Sequence, residues 1–266
     1  MDNRPIGIFD SGVGGLTVVK EIFRVLPNES IVYLGDTARV PYGTKSLETI
    51  KRFSVENVEF LMRLDVKLIV VACNTASSIS IPLLKKIFRI PVLGVIRSGA
   101  ERAVRATKNN RIGVIATSTT VRTNAYEKEI KNISKDKKVF SLSCPLFVPL
   151  AEEGWLDNDV TYSVAKKYLV PLSKRGIDTL VLGCTHYPLL KKVIARVMGS
   201  NVKIIDSACS VAEDVKNILE TGNNLRTVSR KPGHKFFATD AVERFVKVGE
   251  KFLGTKITGA RRVNNV

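Results

Sequence analysis

The sequence predicts an α/β fold of two pseudo-symmetric lobes, each a largely parallel sheet flanked by helices, with the active site between them. Three observations carry this expectation. Short apolar strands alternate with helical patterns along residues 5–206, as in doubly wound sheets. One of those strands, over 66–72, is apolar without a break from Leu68 onward, the mark of a strand buried on both faces. Two strands also end alike: Leu68-Ile69-Val70-Val71-Ala72-Cys73-Asn74-Thr75 and Leu180-Val181-Leu182-Gly183-Cys184-Thr185-His186. A weaker echo pairs Ile6-Gly7-Ile8-Phe9-Asp10-Ser11 with Ile112-Gly113-Val114-Ile115-Ala116-Thr117.

Taken in order, a strand over 5–10 runs into the turn Ser11-Gly12-Val13-Gly14-Gly15, and a helix over 16–25 closes before Pro27. A strand over 30–34, a helix over 46–64, the strand over 66–72, a helix over 77–88 and a strand over 92–96 follow. The pattern then restarts with a helix over 99–107, a strand over 111–115, a helix over 121–133 and a strand over 139–143. A helix over 160–172, a strand over 179–182, a helix over 189–198 and a strand over 202–206 complete the second lobe. The last stretch supplies a helix over 211–219, a strand over 234–238 and a helix over 242–253, returning to the first lobe. The expected lobes are 1–97 with 207–266, carrying Cys73, and 98–206, carrying Cys184.

At 266 residues, 44% of them hydrophobic and 25% charged, the chain can bury an ordinary core. Disordered and collagen-like classes are excluded. No apolar run reaches membrane-spanning length and no signal-peptide pattern opens the chain, so a cytoplasmic protein is expected. Four cysteines without a Cys-x-x-Cys pair, and only two histidines, argue against a metal site. The net charge of +17 invites a nucleic-acid reading, but the basic residues are interspersed with acids and no recognition motif accompanies them.

A cysteine at the junction of a strand and a helix N-terminus sits where a thiolate is favoured. Buried packing is the plain alternative for any one thiol. Two such thiols at equivalent ends of related segments suit proton transfer on opposite faces of one carbon. One group removes a proton from a stereocentre and the other returns one to the far side, inverting it. Cys144 and Cys209 lack the setting and read as structural. Asp10-Ser11, Asn74-Thr75 and Thr185-His186 stand at strand-to-helix turns, where free N–H groups hold carboxylates. The glycine turn lacks the third glycine of the dinucleotide fingerprint and the Gly-Lys-Ser/Thr of a P-loop.

Four segments resemble the signatures of glutamate racemases, within the aspartate/glutamate racemase superfamily. They are Ile8-Phe9-Asp10-Ser11-Gly12-Val13-Gly14-Gly15-Leu16-Thr17, Tyr33-Leu34-Gly35-Asp36-Thr37-Ala38-Arg39-Val40-Pro41-Tyr42-Gly43, Ala72-Cys73-Asn74-Thr75-Ala76-Ser77 and Leu182-Gly183-Cys184-Thr185-His186-Tyr187-Pro188-Leu189. Phe236-Phe237-Ala238-Thr239-Asp240 is similar to a late Phe-x-x-Thr segment. The resemblance implies cofactor-free interconversion of L- and D-glutamate, supplying D-glutamate for peptidoglycan, in a homodimer. It implies that Cys184 takes the α-proton from L-glutamate and Cys73 from D-glutamate, assisted by Asp10, Glu152, His186 and Asp36. Of the adjacent Glu152 and Glu153, the matching segment from Cys144 to Gly154 favours Glu152. It further implies substrate contacts from Asp10, Ser11, Tyr42, Gly43, Asn74, Thr75, Thr117, Thr120, Thr185 and His186. Arg97-Ser98-Gly99 stands where a Glu-Pro-Gly-like hinge is the pattern.

The nearest alternative is a racemase of aspartate or another amino acid on this fold, since one methylene is worth only about 1–3 kcal/mol of discrimination. Others are a basic nucleic-acid- or gyrase-binding protein, an activity also conceivable as secondary, and a cysteine hydrolase.

Overall fold

The computed structural model describes residues 2–228 and 230–264. The outer boundaries expected for the first lobe, Met1 and Val266, lie outside the described residues. The chain divides into two compact units, Met1–Val95 with Ala208–Val266, and Ile96–Ser207.

The strands are β1 (Ile6–Asp10), β2 (Ile31–Gly35), β3 (Leu68–Val71), β4 (Val92–Gly94), β5 (Arg111–Ala116), β6 (Lys138–Ser143), β7 (Thr179–Gly183), β8 (Lys203–Asp206), β9 (His234–Ala238) and β10 (Arg261–Arg262). The helices are α1 (Leu16–Val25), α2 (Leu47–Met62), α3 (Asn74–Ile87), α4 (Val95–Ala106), α5 (Ser118–Arg122), α6 (Ala125–Ile133), α7 (Phe147–Glu153), α8 (Asp159–Ser173), α9 (Lys191–Met198), α10 (Ser207–Thr221) and α11 (Val242–Leu253).

The first unit holds a sheet in the order β10-β9-β2-β1-β3-β4. The second holds one in the order β6-β5-β7-β8. Every strand pair in both is parallel. Within each unit the run second-first-third-fourth recurs, β2-β1-β3-β4 and β6-β5-β7-β8. Every residue of β1, β2, β3 and β7 is buried, because helices cover both faces of a parallel sheet. In the first unit Phe9, Val32, Leu34, Ile69 and Val71 pack with Ile50, Val58 and Leu61 of α2 and Leu84 of α3. In the second, Ile112, Val114, Val181 and Ile205 pack with Ala100, Ala103, Tyr126 and Ile130. Ser46 caps α2 by accepting from Thr49 N–H at 3.2 Å, and Asn158 caps α8 by accepting from Thr161 N–H at 2.9 Å.

Several elements depart from the sequence reading for local reasons. The helix expected over 121–133 is split into α5 and α6 by Asn124, whose φ of 53° is left-handed and tolerable for Asn. The strand expected over 92–96 stops at Gly94 because Val95 already opens α4; Arg97-Ser98-Gly99 therefore lies in helix. The helix expected over 189–198 begins as a tight turn at Tyr187–Leu190 containing Pro188, and only then becomes α9. The helix expected from residue 77 starts at Asn74, directly after Cys73. The short α7 and β10 were not foreseen at all. No described helix is long and apolar enough to cross a membrane.

One buried ion pair ties the first unit together. Lys67 Nζ lies 2.8 Å from Glu29 Oε2, with the two side chains 1% and 2% exposed. The ammonium also donates to the Asp2 and Asn224 carbonyls, both at 2.7 Å. Glu29 Oε1 accepts from the Arg226 N–H at 2.8 Å. Removing one member leaves an uncompensated buried charge. Lys67→Met is therefore expected to destabilise the fold by about 3–5 kcal/mol. Urea denaturation measures this; a loss of only a few tenths of a kcal/mol, as for an exposed pair, contradicts it.

Candidate active site

Strand register places the two cysteines in corresponding positions of their own sheets. β1 pairs with β3 so that Phe9 faces Val71; two steps on, Ser11 comes level with Cys73. The Cys73 thiol donates to Ser11 Oγ at 3.6 Å. β5 pairs with β7 so that Ala116 faces Gly183; one step on, Thr117 comes level with Cys184. Ser11 and Thr117 are thus counterparts, as are Cys73 and Cys184. Both cysteines stand just past the carboxyl end of a central strand, where open α/β sheets take their ligands.

In the first unit Cys73 is the residue that precedes α3, with extended backbone. Its carbonyl accepts from Ser77 N–H at 2.8 Å, so its thiol sits over the positive end of that helix. Asn74 and Thr75 are the first two helical residues and are buried. Asp10 is fully buried, and its Oδ2 accepts from the Gly12 N–H at 2.9 Å. The turn needs glycine at 15 for room: a Cβ there would come 2.6 Å from Asp10 Cβ and 3.0 Å from Ala72 Cβ. Tyr33 donates to the Gly12 carbonyl at 2.8 Å. Burial, then the negative charge of Asp10 and Cys73, pushes its phenol far above the ordinary range, so it stays a donor.

Asp36 is also fully buried. Its carboxylate accepts from Arg39 Nε at 2.6 Å, from Thr239 Oγ1 at 3.1 Å and from the Tyr42 hydroxyl. The resemblance made it an assistant to the thiols; none of these partners is a thiol. Tyr42 and Gly43 lie together in the tight turn Tyr42–Thr44.

In the second unit three predicted residues form a chain. His186 Nδ1 is 3.8 Å from Cys184 Sγ, and His186 Nε2 is 3.0 Å from Glu152 Oε1. Glu152 reaches the ring because α7 turns it inward, half-buried, while Glu153 faces solvent. Burial pulls the imidazole down most strongly. Hydrogen bonds to Cys184 and Glu152, and their charges, outweigh it and raise the pKa from 6.5 to about 10. The shift favours the protonated ring, in which both nitrogens donate, one toward sulfur and the other toward carboxylate. Such a chain can hold negative charge on sulfur and reset its proton. Thr185 is buried beside them. Thr117 and Thr120 join hydroxyl to hydroxyl at 3.1 Å across the start of α5.

Cys144 also follows a strand end, a setting the sequence reading had denied it. It is fully buried, and desolvation together with the charge of Cys184 pushes its thiol up. Its carbonyl accepts from the Tyr187 hydroxyl at 2.8 Å. Sequence reasoning did not single out Arg39 or Asn57, which lie against Asp36 and Tyr42. Among the described residues no group of three or more His, Cys, Asp or Glu is placed to hold a metal ion.

Comparison with known proteins gives one consistent result. The family model described as Asp/Glu/Hydantoin racemase matches residues 6–215. A glutamate racemase of Geobacter metallireducens is 52% identical over 98% of this chain and 97% of its own. The solved structure of a glutamate racemase isoform from Bacillus anthracis superposes with a TM-score of 0.95 at 42% identity, covering 99% of this chain and 98% of that one. A glutamate racemase from Francisella tularensis, solved in complex with D-glutamate, gives 0.94 at 41% identity over 99% of this chain and 98% of that one. With two parallel sheets of matching order, a cysteine at the same place in each, and these likenesses over nearly its whole length, the chain belongs to the Asp/Glu/hydantoin racemase family and, within it, to the glutamate racemases.

Proposed function

We propose that the chain racemises glutamate without a cofactor, using Cys73 and Cys184 as two bases at one Cα. The observation that carries this reading is the equivalent placing of the two thiols, each beyond a central strand and level with a hydroxyl residue. With L-glutamate, the Cys184 thiolate takes the α-proton and becomes a thiol. The electron pair left on Cα is delocalised into the carboxylate, and the carbon flattens. The Cys73 thiol then gives its proton to the opposite face and becomes a thiolate, leaving D-glutamate. The D substrate runs the same steps in reverse.

The two sides are assisted differently. Beside Cys184 the imidazolium of His186, held by Glu152, sets positive charge near the sulfur that must start as an anion. Beside Cys73 the helix end and the buried Asp10 serve. Ser11, Asn74, Thr75, Thr117, Thr120 and Thr185, with the Tyr42-Gly43 turn, offer small hydroxyl, amide and N–H donors suited to two carboxylates and an ammonium. Asp36 acts through the turn it holds, rather than on a thiol. The D-glutamate bound to the Francisella tularensis relative supports glutamate as the substrate. In the cell we assign the chain to supplying D-glutamate for peptidoglycan, as a homodimer, in the reducing cytoplasm where its four free cysteines persist.

The purified chain should abolish the circular dichroism of L-glutamate with no pyridoxal phosphate or metal added, and L-aspartate, run alongside, should react far more slowly. Persistence of the L-glutamate signal, or preference for aspartate, contradicts the reading.

A further inference from the structure

We infer that Thr239, at the far end of the chain, is a positioning residue for the substrate-holding turn at Tyr42-Gly43. It acts as a latch that closes the segment 36–44 onto the end of β9. The inference rests on the proposed function for the role of that turn, and on the structure for the latch itself.

The segment between β2 and α2 has little regular structure of its own, only two single-turn stretches at Thr37–Arg39 and Tyr42–Thr44. A segment with so little regular structure needs bonds from outside it to hold one shape. Thr239 supplies them with a single hydroxyl. Its Oγ1 donates to Asp36 Oδ1 at 3.1 Å and accepts from the Ala38 N–H at 2.8 Å. Its own N–H donates to the Gly35 carbonyl at 3.1 Å, extending the β2–β9 pairing by one residue. The next residue repeats the clasp: Thr37 Oγ1 donates to the Asp240 carbonyl at 2.5 Å, and the Asp240 N–H donates back to that hydroxyl at 2.8 Å.

Asp36 carries the latch inward. One carboxylate oxygen takes the Thr239 hydroxyl; the other takes Arg39 Nε and the Tyr42 hydroxyl. Asn57 of α2 closes the circuit, its Nδ2 donating to the Tyr42 hydroxyl and its Oδ1 accepting from Arg39, each at 3.1 Å. Arg39 also pairs with Glu56 and lies over the Phe53 ring, 4.1 Å from its centroid. The buried carboxylate is thus a hub whose donors fix Tyr42, and with it the Gly43 backbone beside it. Removing the Thr239 hydroxyl strips one donor from a buried anion and one acceptor from the loop backbone, and leaves the thiols untouched.

The test compares Thr239→Val with Thr239→Ser in the full chain. Loss of the hydroxyl should raise KM for L-glutamate about tenfold while kcat stays within about twofold, the mark of lost ground-state positioning. Serine, which keeps the hydroxyl, should restore the parent KM. An unfolded fraction lowers the apparent kcat and leaves KM alone, so instability does not mimic the result. Amide hydrogen exchange over 37–44 should also speed up about tenfold in Thr239→Val. An unmoved KM, or a serine variant as impaired as the valine one, overturns the inference. If the parent chain does not racemise glutamate, the proposed function falls, and exchange alone decides the latch: unchanged protection over 37–44 overturns it.

Discussion

Serine in place of either Cys73 or Cys184 is expected to lower racemisation by at least about 10³-fold. A hydroxyl does not ionise at neutral pH as a thiol can, and every turnover in either direction needs one sulfur as base and the other as acid. The loss must appear from both sides. Glutamate enantiomers have equal free energy in water, so kcat/KM falls by the same factor for L and D in every variant. Circular dichroism with each enantiomer measures it. Full turnover by either variant rules out the two-base scheme. Cys144→Ala is the control: that thiol is buried, pushed up by desolvation and bonded through its carbonyl, so the change costs stability and leaves the rate intact.

The second large effect concerns the histidine chain. His186→Asn removes the positive charge 3.8 Å from Cys184 Sγ, and racemisation should drop about 10²-fold. Glu152→Gln keeps the ring but weakens its anchor at 3.0 Å, and should cost about tenfold. Stability carries a matching signature. The folded ring binds its proton more tightly than an unfolded one, its pKa being raised from 6.5 to about 10. Its contribution to stability is therefore complete below pH 6.5 and fades as pH rises through about 10. The stability gap between the parent and His186→Asn should narrow over that interval, in urea melts at matched pH. A gap that stays constant or widens means the ring is neutral in the fold.

Much of this site was legible because its parts are local. The apolar runs at 68–71 and 180–182 announce buried parallel strands, and each cysteine follows its strand within two residues. Cys184 and His186 are close in sequence and meet in space. What stayed hidden depends on distant partners. α7 was not foreseen, so Glu152 was favoured over Glu153 by resemblance alone, with no helix to turn it inward. β10 is two residues long and exists only because β9 is there to pair with. The partners of Asp36 were out of reach, since its third donor, Thr239, arrives from 203 residues away. The helix expected over 121–133 failed at one residue, Asn124, whose left-handed backbone no periodicity reveals.

The central claim is that inversion gives up a proton to one sulfur on one side of the carbon and takes a different proton from the other sulfur on the opposite side. Its most direct test is the isotope content of both enantiomers in the first few per cent of reaction, starting from L-glutamate in D₂O. With two single-proton bases, the D-glutamate formed carries deuterium at Cα while the remaining L-glutamate keeps its protium. D-glutamate that retains the original protium, or L-glutamate that gains deuterium as fast as product forms, would contradict the account.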